Sequence, residues 1–274
     1  MKIISMLFPE EKLKALTLSY DDAVIHDIRL IDIMKKHGLK GTFNVCSGRF
    51  GNGGEYKLSG EELKKHILGN GMEVAVHGLY HRFMEELPDG VRSYEVIKDR
   101  EQIEKTIGGI VRGMAYAFGS FDDKTVDTLK HAGIVYARTT KSTERFDIPS
   151  DWLRMPATCH HRNPRLFELA DQFLEYSPKD AWRRRPQLFY LWGHSYEFSD
   201  NDNWDIIERF AEKMGGNEDI WYATNMEIYD YVTAFRSLVF NCEASIVHNP
   251  SAIKVWFHEE EKVYCINPGE TITL

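Results

Sequence analysis

Short runs of apolar and β-branched residues recur along the chain, separated by segments in which apolar residues follow a helical spacing. Several of the runs, such as QLFYLWG, are apolar throughout most of their length rather than alternating. Strands that are buried on both faces of a parallel sheet have this composition, whereas half-exposed strands alternate between apolar and polar residues. The pattern predicts seven strands, at residues 14–20, 41–45, 72–77, 114–118, 134–138, 187–193 and 220–224.

Helical patterns fill the intervals between the predicted strands. Residues 27–38 carry apolar side chains at helical spacing and end in Lys, Lys, His and Gly, a common helix stop. Ser59 stands three residues before Glu62, which forms the capping box that begins another helix. Strands that alternate with helices indicate an α/β fold, either a barrel or a doubly wound sheet.

The pattern changes near Asn241, after which short strand-like runs are separated by turns rich in Pro and Gly. Such runs are too short and too irregular to continue the alternation of strands and helices. We therefore predict an α/β region over residues 1–240 and a small β extension over residues 241–274 that packs on it.

Composition and charge narrow the classes of function. The chain has 274 residues, of which 43% are hydrophobic and 28% are charged, which suits one well-packed globular domain with a small appendage. Its formal net charge of −8 disfavours nucleic acid as a partner, because binding to a polyanion needs a basic surface. The four scattered cysteines are typical of reduced thiols, and no stretch has the pattern of a signal peptide or the length of a membrane span. We expect a cytoplasmic protein that does not bind membranes, and the oligomeric state stays open.

The segment EVAVHGLYH, residues 73–81, ends in two histidines four positions apart. A helical H-E-x-x-H metalloprotease site needs Glu at the position that Gly78 occupies. The apolar residues before His77 indicate instead a strand that ends there. We therefore expect His77 and His81 on a turn at the carboxyl end of the third strand, where parallel α/β folds place their chemistry.

The first predicted strand ends in SYDDA, with Asp21 and Asp22 adjacent. Neighbouring carboxylates repel one another, and a divalent cation shared with His77 and His81 would relieve that repulsion. One carboxylate and two imidazoles, with positions left for water and substrate, are typical of a hydrolytic metal site. Taken singly, an Asp pair is more often a cap or a solvated turn, and a His pair is more often ordinary. The prediction depends on their joint position at two strand ends.

Other strand ends carry further polar and aromatic residues. His194 follows the apolar run 187–193 and, taken alone, is typical of a core histidine. The adjacent His160 and His161 could contact a substrate or could simply lie in a polar turn. Trp192 could contact a substrate or could lie in the core. The predicted substrate contacts are Trp192, Glu197, His160 and His161.

In this order and spacing, the segments LTLSYDDA, KGTFNV, VHGLYH, AYAFG and LWGH resemble the polysaccharide deacetylase family, which is carbohydrate esterase family 4 and is also known for the NodB homology domain. The resemblance covers residues 16–234. It implies a distorted (β/α)7-type barrel, to which the small C-terminal β segment would be an appendage. It also implies a metal-dependent hydrolase that removes acetyl groups from N- or O-acetylated sugars.

The resemblance implies roles for individual residues as well. Asp21 matches the general base of the family, and His194 matches its general acid. The backbone N–H of Tyr116 matches the oxyanion donor. The metal ligands of the family match Asp22, His77 and His81. The third motif of the family usually reads Arg-x-Pro-Tyr, whereas here Gly113 stands three residues before Tyr116. Arg138, at the end of the fifth predicted strand, is our candidate for the arginine that orients the base, and a plain exposed arginine is the alternative.

We expect a metal-dependent deacetylase that acts on an acetylated sugar or short saccharide and uses one divalent metal. Zinc is the first choice, and cobalt, nickel and manganese fit the same ligands. One alternative is hydrolysis of a non-sugar C–N bond in a ureide or amide, which would use the same metal core. The other is a carbohydrate-binding protein without catalysis, which the altered third motif favours.

Overall fold

The computed structural model describes residues 3–54 and 56–274. Within this part of the chain, strands β1 to β10 span, in order, Ile4–Leu7, Lys14–Asp21, Gly41–Val45, Glu73–Val76, Gly113–Ala115, Tyr136–Ser142, Met155–Ala157, Cys159–His160, Gln187–Gly193 and Ile220–Tyr222. Strands β11 to β15 span Val239–Phe240, Ile246–His248, Val255–Glu259, Lys262–Ile266 and Thr271–Thr273. Each of the seven predicted strands is found, β3 and β9 with the predicted bounds and the others with shifted ends, and the short strands β7 and β8 are additional.

Helices α1 to α8 span His26–Lys36, Gly60–Glu62, Asp89–Ile107, Asp123–His131, Leu166–Glu175, Tyr196–Asp200, Asp205–Met214 and Asn225–Arg236. The predicted capping box of Ser59 and Glu62 is present at the start of α2, and the chain continues from it into a π-helical turn over Leu63–Ile67. Helix α7 buries Ile207, Phe210, Ala211 and Met214, which share one face of a helix. No helix in the described ranges combines the length and the apolar character that crossing a bilayer requires.

The central sheet is parallel and barrel-like. Its strands pair side by side in the order β7-β6-β5-β4-β3-β2-β9-β8, and β10 pairs with the first residues of β2, where β3 does not reach. The segment 155–160 carries both β7, which pairs with β6, and β8, which pairs with β9. One extended segment therefore joins the two edges of the sheet. The predicted α/β barrel is confirmed.

The alternation of side chains along β2 decides which residues enter the barrel. Successive side chains of a strand point to opposite faces. Leu16 and Leu18 pack in the hydrophobic core between the sheet and the helices. Thr17 and Ser19 are buried on the other face, where each has a hydrogen-bonded polar partner. Asp21 shares that second face, so its carboxylate lies inside the barrel at the carboxyl end of the strand.

The C-terminal residues form small antiparallel sheets. Strand β13 pairs with β14 and also with β1, and strand β12 pairs with β11 and with β15. The sequence pattern does not predict that β1, near the start of the chain, joins this region. Val247, Phe257 and Ile266 form a separate apolar cluster that includes Ala234 of α8, so these sheets pack against the barrel. The division of the chain at residue 240 stays a prediction.

Candidate active site

The carboxyl ends of four parallel strands bring the predicted site residues together. Asp21 is the last residue of β2, His77 follows β4, Arg138 lies in β6, and His194 follows β9. The carboxylate of Asp21 lies 2.5 Å from Arg138 Nη2 and 3.8 Å from Nε2 of both His77 and His194. Because this end of a parallel barrel is where ligands and chemistry are normally found, the cluster is the candidate active site.

Asp22, His77 and His81 form a group of potential metal ligands. Each offers one ligand atom, and these atoms all lie within 4.8 Å of one another. Nδ1 of His77 lies 2.8 Å from the Ala115 carbonyl oxygen, so Nδ1 carries the proton and Nε2 presents its lone pair, as in metal-ligating histidines. Burial and the neighbouring His77 lower the pKa of His81 to about 4, which leaves its ring neutral at pH 7. The donor set therefore fits a divalent cation.

Unusual backbone conformations aim these ligands at one another. Asp22 has φ +84°, Gly78 has φ +84° and His81 has φ +56°, all in the left-handed region. A non-glycine residue in this region costs about 1–2 kcal/mol, so the surrounding structure must hold it there. Gly78, whose presence argues against a helical H-E-x-x-H site, is thus also the residue at which the chain turns between His77 and His81.

Two buried carboxylates of α3 hold the turn that carries the histidines. Asp99 accepts hydrogen bonds from the N–H of Ser47 at 2.6 Å and from the N–H of His77 at 3.2 Å. Glu95 accepts a hydrogen bond from the N–H of Tyr80 at 2.9 Å. Burial raises the pKa of Asp99 to about 7. Neither residue is predicted from the sequence, although their spacing of four positions, which places two carboxylates on one face of a helix, is the signal that points to them.

Arg138 holds the Asp21 carboxylate in place through hydrogen bonds. Nη2 of Arg138 lies 2.6 Å and 2.5 Å from the two carboxylate oxygens of Asp21, and Nδ2 of Asn44 donates a third hydrogen bond at 2.8 Å. Both partners are buried, and the Arg138 guanidinium also lies 4.4 Å from the centroid of the Trp192 ring. Burial alone would raise the pKa of Asp21, but Arg138, with His77 and His194, more than reverses this effect and holds the pKa well below its usual range. Asp21 is therefore ionised and fixed in orientation.

Glu197 orients His194 from the side opposite Asp21. Nδ1 of His194 lies 3.2 Å from Glu197 Oε1, while Nε2 faces the Asp21 carboxylate. Burial lowers the pKa of His194, but the hydrogen bond to Glu197 and the charge of Asp21 outweigh burial and raise it overall. Burial raises the pKa of Glu197, and the nearby imidazoles His161 and His194 reverse the shift to a strongly lowered value. The pair therefore consists of a carboxylate and an imidazole whose charged form the site favours.

A second group of potential ligands, His160, His161 and Glu197, lies beside this pair. Nε2 of His160 and Nε2 of His161 lie 3.4 Å and 2.8 Å from Glu197 Oε2. However, the N–H of Arg162 donates to Nδ1 of His160 at 3.1 Å, so the proton of a neutral His160 must sit on Nε2, which faces the carboxylate. A metal-ligating histidine has the opposite arrangement. This group is therefore better described as imidazoles gathered around a carboxylate than as a metal site.

Two of the predicted substrate contacts are corrected by their burial. His161 is 2% exposed and stacks against the ring of Tyr20, and Trp192 is 8% exposed beneath the Arg138 guanidinium. Neither offers a face that a saccharide could reach. His160 and Glu197 are only half-buried, but their polar atoms face each other and His194.

The predicted oxyanion donor is also corrected. The N–H of Tyr116 donates to the Arg138 carbonyl at 3.0 Å, which engages it in the sheet. A 3-10 turn over Ala117–Gly119 begins at the next residue, and the first N–H groups of such a turn have no partner within the turn. Phe118, inside this turn, has its ring centroid 4.3 Å from that of His81. The Tyr116 N–H is therefore used within the sheet, and the N–H groups of Ala117 and Phe118 at the start of the turn are the candidates for an oxyanion donor.

Comparison with known proteins relates this chain to one family. The polysaccharide deacetylase family model matches residues 9–137. The Uncharacterized protein YlxY of Bacillus subtilis (strain 168) is 31% identical over 99 residues, which are 36% of this chain and 29% of that protein. The matched part is thus less than a third of the length of this curated relative.

Solved structures share the fold over most of the chain. A candidate polysaccharide deacetylase from Mycobacterium smegmatis has a TM-score of 0.59 at 16% identity, covering 85% of this chain and 94% of its own. A mutant of a pseudoenzyme of carbohydrate esterase family 4 has a TM-score of 0.50 at 20% identity, covering 82% of this chain and 69% of its own. At these identities the likeness concerns the fold alone. The match to the polysaccharide deacetylase family model extends over residues 9–137, slightly less than half of the chain, and agrees with the resemblance carried by the motifs in that part.

Proposed function

We propose that the protein is a metal-dependent hydrolase that removes an acetyl group from an N- or O-acetylated sugar or short saccharide. The observation that carries the proposal is the convergence, at the carboxyl ends of the strands, of a metal-ligand group, the Asp21 carboxylate and the His194 imidazole. These are the parts that hydrolysis of an unactivated amide or ester needs, since the carbonyl, the water and the leaving group must each be assisted. The family match supports the choice of an acetylated saccharide.

Asp22, His77 and His81 would hold the cation. Zinc is the first choice for one carboxylate and two imidazoles, and cobalt, nickel and manganese are alternatives. When bound, such a cation polarises the carbonyl and lowers the pKa of a coordinated water. The chain's own contribution is to fix the ring of His77 through the Ala115 carbonyl and to hold the turn that carries both histidines through the buried carboxylates of α3.

Asp21 and His194 would move the protons. Asp21, ionised and oriented by Arg138, accepts the proton of the attacking water as the new C–O bond forms. Glu197 and Asp21 favour the charged ring of His194, which would give its proton to the departing amine or alcohol through Nε2 as the bond from the carbonyl carbon to that group breaks. The N–H groups of Ala117 and Phe118 would face the negative charge that develops on the carbonyl oxygen.

The test is release of acetate from a panel of N-acetylated sugars, O-acetylated saccharides and ureides, each with added zinc, cobalt, nickel or manganese. We expect Asp21→Asn to lower kcat at least about a hundredfold while the protein binds the metal as before, because Asp21 is not in the ligand group. Full activity in Asp21→Asn would refute the assignment of the base. Turnover of ureides alone would instead favour hydrolysis of a non-sugar C–N bond.

Saccharide binding without catalysis is a second candidate function. It is favoured by Gly113, which stands where the third motif of the family has its arginine. Against it, Arg138 of the neighbouring strand contacts both oxygens of Asp21. This candidate requires that the metal-loaded protein bind an acetylated saccharide and release no acetate with any of the four metals.

A further inference from the structure

One buried carboxyl group, that of Asp27, contacts two loops of the candidate active site. Oδ2 of Asp27 accepts a hydrogen bond from the N–H of Val24 at 3.0 Å, and Oδ1 accepts one from Oγ of Ser195 at 2.5 Å. Val24 lies two residues after Asp22 of the metal-ligand group, and Ser195 directly follows His194. The side chains of Asp27 and Ser195 are both fully buried. A single side chain near the start of α1 thus joins the loop of a metal ligand to the loop of the proposed acid.

The loop that carries Asp22 needs support from its surroundings. Asp22 has φ +84° and Ala23 has φ +48°, so two successive non-glycine residues adopt the left-handed conformation, which costs free energy. The N–H of Leu58 donates to the Ala23 carbonyl at 2.9 Å. Asp27 holds the next residue through both backbone groups, since its own N–H also donates to the Val24 carbonyl at 2.9 Å. Asp27 is therefore one of the groups that fix the direction of the Asp22 carboxylate.

Ser195 does not cap the helix that it precedes. It stands at the N-cap position of α6, where a serine side chain usually accepts a hydrogen bond from an N–H of the first helical turn. In the described part of the chain its hydroxyl makes no such bond and donates to Asp27 instead. Because His194 precedes this residue and Glu197 lies two residues after it, the contact with Asp27 fixes the segment that carries the His194–Glu197 pair.

A carboxyl group is an unfavourable choice for this buried position unless both of its oxygens are used. Burial raises the pKa of Asp27 to about 7, so the surroundings oppose a charge there. An apolar side chain would fill the space without this cost, but it would leave the N–H of Val24 and the hydroxyl of Ser195 without their acceptor. The two oxygens of one carboxyl group can accept both hydrogen bonds at once. The contacts, rather than the packing, thus account for an aspartate at this position.

We propose that Asp27 is a positioning residue that links the metal-ligand group to the proton donor. It holds the loop of Asp22 through Val24. It holds the loop of His194 through Ser195. The inference rests on the proposed function and adds to it a residue that lies outside the ligand group and outside the proton-transfer pair. A change at Asp27 should disturb both loops, whereas a change at Ser195 should disturb the loop of His194 alone.

The experiment compares three quantities: zinc affinity against a competing chelator, kcat for acetate release at saturating zinc, and the NMR resonances of the His194 ring. Asp27→Ala should weaken zinc binding about tenfold, lower kcat about tenfold and shift the ring resonances. Ser195→Ala should lower kcat by a similar factor and shift the resonances, but leave zinc affinity within about twofold of wild type. Asp27→Asn should stay near wild type in all three, because its oxygen can accept from Val24 while its amide N–H donates to Ser195 Oγ.

Asn249→Ala is the matched control. Asn249 is also buried and accepts hydrogen bonds from a backbone N–H and a serine hydroxyl, both of Ser251, but it lies in the C-terminal β extension. Its loss should lower stability and leave zinc affinity, kcat and the His194 resonances unchanged. An equal effect of Asn249→Ala would show that Asp27→Ala acts through stability alone. If Asp27→Ala does not fold, Asp27→Thr, whose side chain is too short to reach both loops, takes its place.

The possible outcomes separate this role of Asp27 from the hydrolysis itself. Unchanged zinc affinity in Asp27→Ala, or unchanged kcat and resonances in Ser195→Ala, would overturn the proposal. Asp27→Asn as impaired as Asp27→Ala would also overturn it, since both contacts would then be kept without effect. If the wild type releases no acetate, the proposed hydrolysis fails, and the zinc affinities and ring resonances decide the role of Asp27. If wild type and all variants release acetate at one rate and bind zinc equally, hydrolysis stands and the role of Asp27 fails.

Discussion

Replacing Glu197 by Gln tests most directly the proposal that His194 donates a proton while Asp21 accepts one. The substitution keeps the size of the side chain and an oxygen that can accept the hydrogen bond from Nδ1 of His194, but it removes the negative charge. In the native protein burial disfavours the charged ring, and the hydrogen bond to Glu197, followed by the charge of Asp21, overcomes that effect. Without the charge of Glu197 the pKa of His194 must fall.

The size of the fall follows from the contact. The Nδ1–Oε1 distance is 3.2 Å, and the side chains of His194 and Glu197 are only 20% and 16% exposed, so solvent screens the pair weakly. A hydrogen bond to a charged group contributes about 1.5–3 kcal/mol and a neutral one about 0.5–1.5 kcal/mol. The substitution therefore removes about 1–1.5 kcal/mol from the protonated form, which is about one pKa unit.

The sign of the pH effect is fixed by the direction of the shift. A histidine whose pKa is raised on folding stabilises the fold below its unfolded value near 6.5, and this contribution is lost as the pH rises through the folded value. If His194 is the general acid, activity is lost over the same range. Glu197→Gln should therefore move the alkaline limb of kcat/KM about one pH unit toward acid and, on the alkaline side of that limb, lower the rate about tenfold.

The assay is kcat/KM for acetate release from about pH 5 to about pH 10, with the His194 ring titrated by NMR in parallel. Glu208→Gln on α7 is the matched control, since it removes the same charge from a surface pair with Arg29 of α1. An alkaline limb that stays in place in Glu197→Gln, while the pKa of His194 falls, would show that His194 is not the acid. An unchanged pKa of His194 would show that Glu197 does not tune it.

Two further substitutions test the supports of the site. Arg138→Met leaves the Asp21 carboxylate buried without its charged partner, so the free energy of unfolding in urea should fall by about 3–5 kcal/mol at pH 7. The fall should be smaller at pH 4, because a protonated Asp21 tolerates burial. An equal loss at both pH values would contradict the buried ion pair. Asp99→Asn weakens the hydrogen bonds that the side chain accepts from the N–H groups of Ser47 and His77. The affinity for zinc, measured against a competing chelator, should therefore fall about ten- to a hundredfold. An unchanged affinity would show that α3 does not position the ligands.

The parts of the fold that could be predicted are those encoded by local pattern. The apolar runs locate β2, β3, β4 and β9 within one or two residues, because strands buried on both faces must be apolar along their whole length. The segment 155–160 escapes prediction, since β7 and β8 have three and two residues, too few for any period to show. The pairing of β1 with β13 escapes as well, because it depends on tertiary contact between the two ends of the chain.

The same limit applies to the candidate site. Asp22, His77 and His81 could be predicted because each stands at a strand end, and strand ends of a parallel barrel meet. The engagement of the Tyr116 N–H by the Arg138 carbonyl could not, since it depends on the register between β5 and β6. The burial of His161 and Trp192 could not either, because the residues that cover them come from other strands and helices.

The altered third motif and the position of Arg138 have one steric cause. A Cβ at Gly113 would lie 2.1 Å from the hydroxyl oxygen of Tyr136, whose side chain crosses the barrel interior to donate a hydrogen bond to Glu73 at 2.6 Å. An arginine at position 113 is therefore excluded while Tyr136 keeps this place. Arg138 lies two residues after Tyr136 on the same face of β6, the strand next to the β5 strand of Gly113, and from there its guanidinium reaches Asp21. The pair Tyr136 and Arg138 thus fills the space of the expected arginine and supplies its guanidinium, so Gly113→Arg cannot rescue Arg138→Met.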